Sequence, residues 1–162
     1  FYSSYGIQGW RYTGRKVLYV IMGTRSTIRI YHHDLGQPIV SIYQQMDGYP
    51  TGVGDELSHF CDGMKIINGF GEHKAGEYAN GMGCFAAQLI AHFKTDIGGF
   101  YVEEYYPQEY NYEIRKNDDG FLEIRCTYID GGEVFPYTKA SEIDQDFLEM
   151  AENDELKSTK TS

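Results

Sequence analysis

Apolar and polar residues alternate at period two in several short stretches of the chain. "STIRIYHH" (26–33) sets Ile28 and Ile30 against Arg29 and Tyr31, and "IVSIYQQM" (39–46) repeats the pattern after the turn "HDLGQP". Strict alternation marks half-buried strands, so 26–46 is predicted as a hairpin. "FYVEEYY" (100–106), "YNYEIRK" (110–116) and "FLEIRCTYI" (121–129) alternate in the same way. Asn117-Asp118-Asp119-Gly120 supplies a hairpin turn between the last two. "EVFPYT" (133–138) adds a short edge strand, because Pro136 suits an edge.

Two stretches follow a helical period instead. Val53, Leu57, Phe60 and Met64 share one face of a helix expected over Gly52 to Asp62, ended by Gly63, with Thr51 or Asp55 as its cap. Met82, Phe85, Ala86, Leu89 and Phe93 form a stronger stripe, with Asn80 as N-cap and Gly98-Gly99 as the stop. Between them, "INGFGEHKAGEYANGMG" (67–83) is dense in glycine and reads as a loop with at most one helical turn. The order is ββααβββ with a possible sixth strand. Strands in runs with segregated helices predict an α+β domain: a mainly antiparallel sheet of five to six strands, with two helices packed on one face.

Three segments follow. Residues 22–140 form the single domain. Residues 141–162 hold seven acids and two lysines and read as a short acidic helix fraying into a disordered "KSTKTS" tail. Residues 1–21 have no signal-peptide layout, while Met22 opens a clean start; they are expected to be an upstream extension or a disordered arm.

Charge and composition narrow the function. The net charge is −10, yet residues 1–21 carry Arg11, Arg15, Lys16 and no acid, which leaves −13 on the rest. An acidic body repels phosphate backbones, so nucleic-acid binding is not expected. No apolar run reaches the ~18 residues of a membrane span. The cysteines, Cys61, Cys84 and Cys126, are widely spaced and fit neither a disulfide framework nor a zinc site. That usage suits a reducing cytoplasm. Fifteen tyrosines against one tryptophan suit either a half-buried sheet or an interface.

Motif tests for chemistry are mostly negative. "GEHKAGEY" (71–78) places Glu77 and Tyr78 where a phosphate loop needs Lys and a hydroxyl. "GMGCFA" (81–86) matches the glycine spacing of a dinucleotide turn, but no strand is predicted before it. The five histidines show no metal-ligand spacing, so neither a metal nor a cofactor is expected. Cys84, at a helix start, is the best thiol candidate.

The blocks "MGTRSTIRIY", "IYQQMDGYPTGVGDEL", "INGFG", "ANGMGCFAAQLIAHFK" and "GGFYVEEY…YNYEI" together resemble a family of small proteins widespread in phages, other viruses and microbial genomes. Its members begin at MGTRS or a close variant and carry a Y-x-x-[WY]-D-G-Y-P-x-G-x-G block. The likeness runs from about Met22 to Ile129, with Met46 where an aromatic is common. It brings no catalytic residue with it. It implies a compact cytosolic protein, often virus-encoded.

The leading expectation is a non-enzymatic binding or host-interaction protein. Its glycine-rich surface joins Asp47, Gly48, Tyr49, Gly52 and Gly54 to Asn68, Phe70, Asn80, Gly81, Gly83 and Cys84. Both loops precede helices, so their free N–H groups are expected to face a protein partner or a small anionic ligand. One alternative is a small hydrolase or transferase acting on a nucleotide through Asp47, His73 and Cys84. The other is an acidic protein-interaction module using a tyrosine-rich sheet. An exposed tyrosine patch favours that module; a sheet covered on both faces argues against it.

Overall fold

A computed structural model describes residues 7–12, 15–20, 23–32, 36–69, 71 and 73–154. Strands β1 (Ile7–Tyr12) and β2 (Arg15–Val20) pair with each other as an antiparallel ribbon. A ribbon thus stands where a disordered arm was one expectation. Met22, Phe70 and the 155–162 tail lie outside the described residues.

The alternating segments form the main sheet. It contains β3 (Ser26–Ile30), β4 (Val40–Gln44), β7 (Phe100–Val102), β8 (Tyr110–Lys116), β9 (Leu122–Tyr128) and β10 (Glu133–Lys139). The spatial order is β10-β9-β8-β3-β4-β7. The fold is α+β, as the periodicities predict. The sheet departs from antiparallel at its centre, where β3 and β8 run parallel. The cause is the route of the chain, which leaves the β7 edge and returns across two strands to begin β8 beside β3. A short parallel pair, β5 (Lys65–Ile67) with β6 (Tyr78–Asn80), closes the glycine-rich stretch that the sequence presents as a loop with at most one helical turn.

Three helices cover one face. A single π-helical turn at Pro50–Gly54 leads into α1 (Asp55–Asp62), and α2 spans Gly81–Phe93. The acidic C-terminal segment supplies α3 (Gln145–Glu152), whose N-cap Asp144 accepts a hydrogen bond from Phe147 N–H at 2.8 Å. Leu148 and Ala151 of α3 are fully buried, so this helix belongs to the core as a third layer element rather than to a tail. The expected stripes are all used: Val53, Leu57 and Met64, then Met82, Phe85, Ala86 and Leu89, meet Ile28, Ile30, Ile42, Tyr112, Ile114 and Ile124 from the sheet. Phe60 and Phe93 pack at the margin. Helix α2 stops at Phe93, before the glycine pair at 98–99.

Cys61 and Cys126 sit in this core, where burial pushes both thiols well above their ordinary range. Cys84 is only partly buried. A thiol reagent should therefore label one cysteine in the native protein, and mass mapping should find it at Cys84. Cys61 and Cys126 should react only in denaturant; early labelling of either would contradict the packed core.

Candidate functional site

The two glycine-rich turns that lead into helices differ in construction. At the first, glycines are there because backbone and neighbours come close. Gly48 is buried; a Cβ on it would lie 2.6 Å from Ser26 Cβ and 2.9 Å from the Arg25 carbonyl carbon. The fully buried Tyr112 hydroxyl donates to Gly48 O at 2.8 Å. Gly48 N–H donates to Thr24 O and Val53 N–H to Asp47 O. Asp47 takes the left-handed conformation (φ 56°), which Asp tolerates. Its carboxylate accepts from Tyr49 Oη at 3.2 Å. Gly52 N–H is bonded to Tyr49 O, and Gly54 packs against Leu148 and Tyr112. Neither Thr51 nor Asp55 caps α1 through its side chain; Thr51 N–H instead donates to Glu152 of α3 at 3.3 Å. The N–H groups of Gly48, Thr51, Gly52 and Val53 at this corner are all taken up within the fold.

The second turn is open. Gly69, Gly76 and Gly81 have φ of 123°, 94° and 81°, and a Cβ on any of them, or on Gly83, would meet nothing within 4 Å. The first three serve backbone conformation. Asn80 is not a side-chain cap: its Oδ1 accepts from Gly69 N–H at 2.8 Å, across the loop. A strand, β6, does precede "GMGCFA", contrary to the sequence-based expectation, but a loop rather than a helix joins the parallel pair. The arrangement is therefore no dinucleotide turn. Asn68, Asn80 and Gly81 line a cleft of about 530 Å³ with His32, Lys116, Asp118 and Asp119.

These two turns do not meet. Gly48 packs beside Ser26, at the start of β3, while the cleft opens beside His32, beyond its end. The five residues of β3 separate them by about 16 Å. The joint surface from Asp47 to Cys84 is thus two separate places. The triad of Asp47, His73 and Cys84 is also split. Asp47 stays at the corner, His73 lies against Tyr78 with ring centroids 4.4 Å apart, and Cys84 Sγ takes a 3.4 Å contact from Gln88 Nε2. Among the described residues no group of three His, Cys, Asp or Glu side chains could hold a metal, and no helix is long and apolar enough to cross a membrane.

A third place was missed by motif reasoning. The sheet face away from the helices carries a charge ladder set by register: Arg29 faces Glu113, and Glu113 faces Arg125. Glu113 accepts from Arg125 at 3.0 Å and pairs with Arg29 at 3.7 Å; Arg115 meets Glu123 at 3.0 Å. Aromatic rings cap the cations. The Arg29 guanidinium lies 3.8 Å from the Tyr105 ring centroid, and that of Arg115 lies 3.6 Å from Tyr137. Tyr43 and Tyr101 continue the row at 6.1 Å. Residues 103–109 cross this face, pinned by Asn111, whose Oδ1 accepts from Gln108 N–H and from the buried Thr27 hydroxyl, both at 2.8 Å. Clefts of about 130 and 540 Å³ flank the crossing, and both are lined by Ser41, Glu103 and Glu104. The available signal was the polar half of each alternating strand, but it becomes a ladder only once the strand order is known.

Burial, and then the Glu113 charge, push the Tyr137 phenol up to about 12; burial and Tyr128 do the same for Tyr110. Both groups hold their proton more tightly folded than unfolded, where Tyr titrates near pH ~10. The stability they contribute is complete below that pH and is lost as pH rises through about 12. Denaturant midpoints should therefore fall between these two values, and Tyr137→Phe should flatten that fall.

Comparison with protein-family models, with curated proteins and with solved structures finds no match for this chain, so its function is argued from this geometry.

Proposed function

We propose that this chain is a non-enzymatic binding protein that engages a protein partner through the sheet face left uncovered by its helices. One observation carries the reading: that face concentrates the partly exposed Tyr43, Tyr101, Tyr105 and Tyr137 among paired arginines, beside two clefts. Tyrosine and arginine are the residue types that dominate binding energy at interfaces. Their mutual pairing fixes the side chains in advance, which lowers the entropic cost of association. On this proposal the chain acts in the cytoplasm, that of the host where it is virus-encoded, and its unpaired thiols support a reducing compartment.

Photo-crosslinkers placed at Tyr106, which is 65% exposed beside the smaller cleft, and at Asp118, at the opposite cleft, test this. The same partner should be captured from position 106 and not from 118. Its affinity should then drop about 10-fold or more on Tyr43→Ala with Tyr106→Ala. Capture from 118 alone, or unchanged affinity, would reject the reading.

The second reading is a small anionic ligand in the 530 Å³ cleft. It is favoured by the side-chain-uncapped first turn of α2 and by Lys116 in the lining, and opposed by the charges of Asp118 and Asp119. A melting-temperature rise with nucleotide or inorganic phosphate, lost in Lys116→Glu, supports it; no shift at millimolar ligand disposes of it.

A further inference from the structure

Strand β7 is one edge of the main sheet. Gly99 O accepts from Gln45 N–H, Glu103 N–H donates to Ser41 O, and Tyr101 faces Tyr43. Antiparallel alternation therefore turns the N–H and C=O groups of Phe100 and Val102 away from β4. Among the described residues no strand pairs with that side. Lys94 Nζ donates to Phe100 O at 2.9 Å, but a carbonyl has a second lone pair. Four large hydrophobic residues are strongly exposed in the described structure, and two belong to this edge: Ile97 at 96%, just before the strand, and Val102 at 62%, within it. An unpaired edge beside exposed apolar side chains is a template for another strand.

We propose that β7 pairs antiparallel with β7 of a second copy of this chain, about a two-fold axis at Tyr101. In that register Phe100 of each copy faces Val102 of the other, and the outward groups form about four main-chain hydrogen bonds. Tyr101 meets its own copy in the close, non-hydrogen-bonded position. The Tyr43–Tyr101 pair, already 6.1 Å apart, becomes a row of four rings across a continuous sheet.

Charge selects the occupant. Lys94 Nζ is fixed over the carbonyls of Gly98 and Phe100. The residues that fall opposite in this register are 102–104 of the second copy, including Glu103 and Glu104. Two-fold symmetry repeats this contact, so each of the two lysines gains an acidic neighbour. A uniformly acidic strand would be repelled by Glu103 and Glu104, and a uniformly basic one by Lys94. An edge with base at one end and acid at the other, run antiparallel, satisfies both ends, and β7, with Lys94 bonded beside its start and Glu103 and Glu104 following its end, is such an edge. The opposite edge is unsuited: β10 carries Pro136 and two register shifts. This inference does not rest on the partner-binding reading, and the two fail separately.

Sedimentation velocity of the full chain from about 5 to 200 µM should show mass rising from one to two times 18.5 kDa. Val102→Pro removes an outward N–H while leaving the β4–β7 bonds in place; this variant should stay monomeric and melt where the wild-type protein melts at dilutions that leave it monomeric. Lys94→Glu should weaken association about 10-fold, and adding Glu103→Lys and Glu104→Lys should restore it. The charge series carries the test if Val102→Pro does not fold. A monomer throughout, a dimer indifferent to Val102→Pro, or tighter association in Lys94→Glu would overturn the proposal.

Discussion

Gly48→Ala is expected to destabilise the protein by about 3 kcal/mol, the upper end for one added methyl in a packed interior. Backbone conformation is not the reason, since Gly48 is not among the residues of positive φ. Space is. The new Cβ would fall 2.6 Å from Ser26 Cβ and 2.8 Å from its Oγ, and Ser26 is fully buried with nowhere to move. Retreat of the 47–54 turn is opposed by Tyr112, whose buried hydroxyl holds Gly48 O, and by the bond from Gly48 N–H to Thr24 O. Tyr112→Phe, which leaves that carbonyl without its donor, should cost less, about 1 to 2 kcal/mol. The two changes act on one contact, so their effects should not add. Urea unfolding of both single variants and the double measures this. A cost below about 0.5 kcal/mol for Gly48→Ala would mean that the corner yields and is not the packed structure described.

The corner also shows where the sequence was readable and where it was not. Ile28 and Ile30 against Arg29 announce a strand with one buried face, and Met82, Phe85 and Leu89 announce a helix stripe, because periodicity encodes burial directly. Strand order is not encoded in that way. Arg29 and Glu113 stand far apart in the chain, and nothing local says that β3 and β8 run side by side and parallel. The charge ladder and its tyrosine caps were therefore invisible as a constellation, although each residue was plainly outward-facing. Two glycine-rich turns before helices likewise look alike in sequence. What separates them is burial: the fold drives Gly48 against Ser26 and leaves Gly83 in open space. Residues 141–162 were read as a short acidic helix from their charge run, and not as core, because that run obscured the buried Leu148 and Ala151 of α3.

Gly120→Val should cost about 4 kcal/mol, for two reasons that do add. Gly120 sits at φ +85°, in the left-handed region, which a β-branched side chain enters at a cost of roughly 1 to 2 kcal/mol. Its Cβ would also lie 2.5 Å from Ile66 O, a backbone atom that cannot swing aside, and overpacking of this kind costs about 1 to 3 kcal/mol. Ile66 is held there by its own N–H, which donates to Gly120 O at 2.8 Å and ties β5 to the β8–β9 turn. Relief of the clash would break that tie and splay the cleft that Asn68, Asn80 and Lys116 line. Gly83→Ala is the matched control. It lies in the first turn of α2 with no atom within 4 Å of a new Cβ and no positive φ, so alanine should stabilise the helix by up to about 1 kcal/mol. Opposite signs at the two glycines, read by thermal and urea unfolding, would establish that one is demanded by packing and the other is not.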